Sequence, residues 1–193
     1  MAAKRKTVKR KAPAKRPAAK RAAPKKVAKR AASRKKVVKP IPDGYHAITA
    51  YLAIDGAASA IDFYKRVFGA KERMRMGAPG GKVGHAEITI GDSALMLADE
   101  FPDMGFFAPK AGLGVPVNMH LYVKNVDDVF QKAIAAGAEV VRAIEDKFYG
   151  DRTGSLRDPF GHVWHLATHT EDLTPAEMKR RGEAESKKGG RES

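Results

Sequence analysis

Twice in this chain an apolar helical stripe is closed by a glycine and an alanine. Ala57, Ala60, Ile61, Tyr64 and Phe68 recur at helical spacing before Gly69-Ala70, and Val126, Val129, Phe130, Ala133 and Ile134 do so before Gly137-Ala138. Spacings of i, i+3, i+4 and i+7 place side chains on one helix face, and glycine past the last turn supplies a left-handed cap. Asn125, with Asp128 three residues on, gives the second helix a capping pair. One strand-like run precedes each helix, near 46–54 and 117–124. Three follow each, at 71–76, 83–90 and 93–98 and again at 139–144, 153–157 and 163–168. The chain reads as an α+β fold in which one βαβββ unit is used twice.

The connections agree with that reading. Asp158-Pro159-Phe160-Gly161 joins a φ-locked proline to a permissive glycine where the chain must reverse, and alternation resumes from Val163. Pro79-Gly80-Gly81 reads as another hairpin tip, since a strand and not a helix follows it. The Gly- and Pro-rich stretch 101–116 is the crossover between repeats, with Phe106 and Phe107 placed to act as a lid. Thr174-Pro175-Ala176-Glu177 opens a capped helix that is expected to fray into a charged terminus.

Strand parity separates core from ligand-facing residues, because successive side chains point to opposite faces. Ile48, Leu52, Ile54, Ala86, Ile88, Ile90, Leu95, Leu97, Val117, Met119, Leu121, Val123, Trp164 and Leu166 are expected to face the helices. The other face collects Thr49, Tyr51 and Ala53, His85, Glu87 and Thr89, Met96, Asn118, His120 and Tyr122, and Val163, His165 and Ala167. So polar a face, gathered in a concavity, points to a bound ligand. Thr49, Tyr51, His85, Met96, Asn118, His120, Tyr122, Arg152 and His165 are the expected ligand contacts, and Glu87 and His120 the candidate general bases. His46, His162 and His169 read as structural or exposed, and Arg73 and Arg75 as sharing one strand face.

This architecture, together with Ile61-Asp62-Phe63-Tyr64-Lys65-Arg66-Val67-Phe68-Gly69-Ala70 and Asp158-Pro159-Phe160-Gly161-His162, resembles the vicinal oxygen chelate superfamily. That superfamily includes glyoxalase I, extradiol dioxygenases, fosfomycin-modifying enzymes and bleomycin-binding proteins, and the resemblance covers about residues 44–170. Tyr149-Gly150-Asp151-Arg152, with the later Asp158-Pro159-Phe160-Gly161-His162 and Trp164, is similar to the branch labelled as demethylubiquinone methyltransferase-like. That label is not evidence of methyl transfer, because no Rossmann-type glycine loop is present.

The resemblance implies a cupped mixed sheet over residues 41–170 and a homodimer whose cups form between units of two chains. In metal-dependent members it implies His, Gln or Glu in the first and fourth strands of each unit. Those positions fall on Thr49, Met96, Asn118 and His165, of which only His165 is a good ligand for a divalent ion. His120, His165 and Glu87 are the remaining metal candidates. A metal-free cup holding a small oxygen-rich or aromatic molecule is therefore favoured. The alternative is a glyoxalase-type lyase or isomerase using Fe, Mn, Ni, Co or Zn. A third reading is a DNA-associated architectural protein that dimerises through its folded body.

Charge divides the chain near residue 40. Residues 1–39 carry 18 Lys and Arg and no Asp or Glu, whereas the remainder carries 19 basic and 22 acidic residues, so the net charge of +15 belongs to the tail. Built from Lys, Arg, Ala, Pro and Val, that tail cannot bury enough apolar surface to fold, and it resembles the tails of linker histones and bacterial histone-like proteins. Its expected partner is nucleic acid, met without sequence specificity through Lys4, Arg5, Lys6, Lys9, Arg10, Lys11, Lys15, Arg16, Lys20, Arg21, Lys25, Lys26, Lys29, Arg30, Arg34, Lys35 and Lys36. Aromatic residues for stacking on bases are absent from it. With no apolar run long enough to span a bilayer and no cysteine, the chain is expected in the cytoplasm, associated with the nucleoid, with no membrane partner. Residues 171–193 form the charged C-terminal segment.

Overall fold

The computed structural model describes residues 39–189. The basic tail, and with it the expected nucleic-acid contacts from Lys4 to Lys36, lies outside the described residues. The first unit comprises β1 (Ala50–Ile54), α1 (Ala57–Phe68), β2 (Lys71–Gly77), β3 (Val83–Ile90) and β4 (Ser93–Asp99). The second comprises β5 (Met119–Tyr122), α2 (Val126–Ala135), β6 (Glu139–Asp146), β7 (Asp151–Arg157) and β8 (Val163–His169), and α3 (Pro175–Gly189) follows. Each unit closes its own four-stranded mixed sheet, in the orders β1-β4-β3-β2 and β5-β8-β7-β6. The first strand runs parallel to the fourth, and the other pairs are antiparallel.

The duplication extends to how each helix begins. At α1 the Asp99 carboxylate, at the end of β4, accepts from the amides of Gly56, Ala57 and Val83 at 3.0, 2.9 and 2.6 Å. At α2 the Thr168 hydroxyl, at the matching place on β8, accepts from the Val126 amide at 2.8 Å. Both oxygens meet amides that the first helical turn leaves unpaired. Asn125 also caps α2 as its sequence predicts, accepting from the Asp128 amide at 3.2 Å. Gly69 ends α1 at φ 66°, the left-handed conformation that glycine adopts without strain.

One apolar core serves both units. Phe63 and Tyr64 of α1 are buried together, and Phe68 reaches Trp164 of β8 with ring centroids 4.6 Å apart. Burying side chains of this size contributes roughly 1.5–3 kcal/mol each. The Asp158-Pro159-Phe160-Gly161 turn, with Gly161 at φ 93°, enters the same core. Its buried Asp158 carboxylate accepts from the Tyr64 hydroxyl, the Trp164 indole and the amides of Phe160 and His162.

Several expectations need correction. Ile48 and Val117 are 90% and 66% exposed, because β1 and β5 begin only at Ala50 and Met119 and the residues before them leave the alternating pattern. Arg73 and Arg75 do not share a face: a register shift between Glu72 and Met74 puts Arg75 on Glu72, while Arg73 lies over the Tyr45 ring. Beyond Thr174 the helix runs fifteen residues rather than fraying early. Among the described residues no helix is long and apolar enough to cross a membrane.

Candidate functional site

Strand register places the chemistry in two rows. Residues directly opposite one another in paired strands point to the same face. Across the first sheet Met74 lies opposite Glu87, Glu87 opposite Met96, and Met96 opposite Tyr51. Across the second, Arg142 lies opposite Ser155, Ser155 opposite His165, and His165 opposite His120. The two rows occupy matching positions of the duplicated unit, so the chain builds one wall from thioethers, an aromatic ring and a carboxylate, and the other from a guanidinium, a hydroxyl and two imidazoles.

The first row opens on a hollow of about 430 Å³ lined by Thr49, Met96, Glu87, Tyr45, His46 and the segment 40–42. Glu87 is buried there beneath Tyr45, whose hydroxyl donates to it, and Arg73 approaches to 4.0 Å. The Tyr45 hydroxyl holds the Glu87 carboxyl below the usual value, and His85 and Arg73 add to this against the opposing effect of burial. His85 bridges onward, its Nε2 3.4 Å from Glu87 and its Nδ1 2.9 Å from the Tyr51 hydroxyl. A chain of this kind can pass a proton between a hydroxyl at the rim and a buried carboxylate. Phe106 of the crossover packs on Tyr51 at 5.2 Å, so the expected lid segment meets the rim.

The second row opens on a hollow of about 110 Å³ lined by His120, Arg142, Glu145, Lys147, Tyr149, Thr153, Ser155 and His165. Ser155 is buried with its hydroxyl 2.6 Å from His165 Nδ1. Burial pushes the His165 pKa down, and the charges of His120 and Arg142 push it further. Tyr122, at the edge of this face, donates to the buried Asp151 at 2.8 Å. Neither hollow takes a lining residue from the strands of the other sheet.

The expected residues therefore separate. Thr49, Tyr51, His85, Met96 and Glu87 gather on the first sheet, and His120, Tyr122 and His165 on the second. Asn118 precedes β5 and is exposed. Arg152 points away from the row to the helix side, where its guanidinium pairs with Asp127 of α2 at 2.7 Å and with Asp146 at 3.3 Å. His162 is buried with Nε2 3.2 Å from the Ala53 carbonyl, a structural contact.

Arg142 and Ser155 escaped the sequence reading. Ser155 sits two residues from Arg157 in a run with no apolar alternation, and Arg142 lies between two register shifts of β6 that disrupt parity. The signal that finds both is the duplication, since they stand where the first unit has Met74 and Glu87.

The positions at which the resemblance implies metal ligands do not fit a divalent ion here. Thr49, Met96 and Asn118 offer a hydroxyl, a thioether and an amide, and the one imidazole, His165, is engaged by Ser155. Glu87 lies on the other sheet from His120 and His165, and among the described residues no three His, Cys, Asp or Glu side chains converge on a metal position.

Residues 44–166 match the model of the Glyoxalase/Bleomycin resistance protein/Dioxygenase superfamily. An uncharacterized protein of Mycobacterium bovis is 43% identical over 136 residues, 69% of this chain and 90% of the relative. Among solved structures, TioX from Micromonospora sp. ML1 shares 28% identity with a TM-score of 0.51, over 67% of this chain and 100% of that one. A gene product of Arabidopsis thaliana shares 26% with a TM-score of 0.53, over 64% and 98%. A Bacillus cereus PhnB protein, a putative 3-demethylubiquinone-9 3-methyltransferase, shares 20% with a TM-score of 0.52, over 64% and 99%, and so shares the fold. With duplicated βαβββ units, paired four-stranded sheets and a family match over most of its length, the chain belongs to the Glyoxalase/Bleomycin resistance protein/Dioxygenase superfamily.

Proposed function

We propose that the protein binds a small oxygen-rich or aromatic molecule, without a resident metal, in a cup assembled from the two rows, one row from each of two copies of the chain. The observation that carries this reading is the chemical division of matching positions: Tyr51, Met96 and Met74 on one wall, His120, His165 and Arg142 on the other. Each wall alone is half a site. Support also comes from β1 and β5, which end their sheets as unpaired edges, and from Tyr51, Met74, Met76 and Tyr122, which are exposed on the sheet faces. A second copy would cover them and leave a ligand-sized space.

The test is a thermal-shift screen of small aromatic and oxygen-rich compounds, repeated on Met96→Glu and His120→Ala variants. Hits that stabilise the protein and are lost in both variants support the cup. Hits indifferent to both variants overturn it.

The tail adds a second partner to the same proposal. Eighteen cationic side chains and no acidic one in residues 1–39 favour non-specific nucleic-acid binding by counterion release, which would place the protein at the nucleoid.

A further inference from the structure

Arg142 makes no ion pair or hydrogen bond with another described side chain, although it lines a hollow that contains a carboxylate. That carboxylate, Glu145, is taken by Lys147. Arg142 shares this hollow with Ser155, His165 and His120, the two imidazole rings lying 6.3 Å apart, and its charge acts on His165. Ser155 occupies His165 Nδ1, so Nε2 is the nitrogen left to meet a ligand. The charged and titratable groups lining this hollow are Arg142 and Glu145 of β6, Lys147 and Tyr149 of the following turn, His120 of β5 and His165 of β8, and Arg142 also borders a second hollow with Asp146 of β6 and Arg181 and Glu185 of α3. Within the hollow beside the two imidazoles, where Glu145 and Lys147 offset each other, Arg142 leaves the balance cationic. At about 110 Å³ the hollow accepts a group the size of a few water molecules, each taking about 30 Å³, and not a whole ligand.

We infer that the row Arg142, Ser155, His165 and His120 is an oxyanion subsite that receives the anionic head of a small organic acid. The inference rests on the cup reading and deepens it by naming the ligand class. Arg142 would meet the head through paired N–H donors, the geometry that suits a planar carboxylate. The imidazoles add one donor each. A bound anion opposes the burial and like charge that now depress His165, so occupancy raises its pKa. The matching row of the first sheet has Met74 where this one has Arg142, and Met96 where it has His165, and its carboxylate, Glu87, is already held by Tyr45 and Arg73, which leaves the thioethers as the wall for the apolar body of the acid.

The experiment follows the ring protons of the six histidines by NMR in the full chain during titration with benzoate, benzamide or phenylphosphonate. Benzoate is expected to shift His120 and His165 saturably and to raise the pKa of His165. Benzamide, which has the same shape without the charge, should bind about tenfold more weakly or worse, and Arg142→Gln should weaken benzoate by a similar factor. Arg142 is exposed, so the melting temperature of Arg142→Gln should be unchanged. Phenylphosphonate binding more tightly than benzoate at the same two rings would identify the head as a phosphate-like dianion and still support the subsite. Equal shifts by benzoate and benzamide would overturn the subsite and leave the cup standing. Shifts confined to His46, His85, His162 or His169, or no saturable shift with any of the three compounds, would also overturn it, the cup being decided separately by the screen above.

Discussion

The Tyr64 hydroxyl donates to Asp158 at 2.8 Å, joining the helix of the first unit to the last hairpin of the second inside the shared core. The same carboxylate oxygen accepts from the Trp164 indole at 2.9 Å, while its other oxygen holds the amides of Phe160 and His162. Asp158 and the buried Tyr64 sustain each other: burial and the carboxylate both push the phenol far above its ordinary range, so it stays a donor. Tyr64→Phe should cost about 1.5 kcal/mol, because Asp158 keeps three donors. Asp158→Ala should cost about 3 kcal/mol or more, because four donors lose their acceptor. Urea denaturation should show the midpoint falling in this order with its slope unchanged.

Gly154 separates the two units in packing. A Cβ built there would lie 2.8 Å from Phe130 and 2.9 Å from Ile144, whereas the matching residue of the first unit is Ala86, where the smaller Ile61 takes the place of Phe130. Gly154→Ala is expected to destabilise the fold by about 1–3 kcal/mol through overpacking. Adding Phe130→Leu should recover part of this loss in the same denaturation assay. No recovery would indicate that the cost lies in the backbone rather than the contact.

His169 is the basic partner in a pair of carboxylate contacts, with Nδ1 2.7 Å from Asp151 and Nε2 3.1 Å from Asp172. Asp151 first, and Asp172 after it, raise its pKa above the ordinary histidine value. A raised folded-state value means the contribution is complete below the unfolded pKa and is lost as pH rises through the folded one. Melting temperature should therefore decline across that window, and Asp151→Asn should flatten the decline. An NMR titration of His169 should show its midpoint falling toward the ordinary value in the variant.

Removal of residues 1–39 should abolish DNA binding while the described fold, and its melting temperature, persist. In the full chain the logarithm of affinity should fall linearly with that of salt, by about 0.9 for each duplex phosphate neutralised. Unchanged affinity after truncation would remove the tail from the account.

The elements were legible because local signals agreed: stripe and terminal glycine coincide at Ala57–Phe68 and at Val126–Ala135, and the capping residue Asn125 adds to them at the second. The candidate site was legible one residue at a time but not as a set. Parity placed Tyr51, Glu87 and His165 on the faces they occupy, yet it could not show that Glu87 and His165 belong to different sheets, since that depends on the partition of eight strands. Arg152 was misplaced for a simpler reason. Its place beside a conspicuous motif suggests a ligand contact, whereas Asp127 at the start of α2 offers it a nearer partner.

The central claim is that the Tyr51 wall of one copy faces the His120 wall of another. The chain has no cysteine, so Thr49→Cys and Asn118→Cys can be introduced together, at the matching approaches to β1 and β5, and treated with a short bis-maleimide. The account predicts a covalent dimer from the double variant and little from either single variant. A link formed only within one chain, or no link at all, would contradict it.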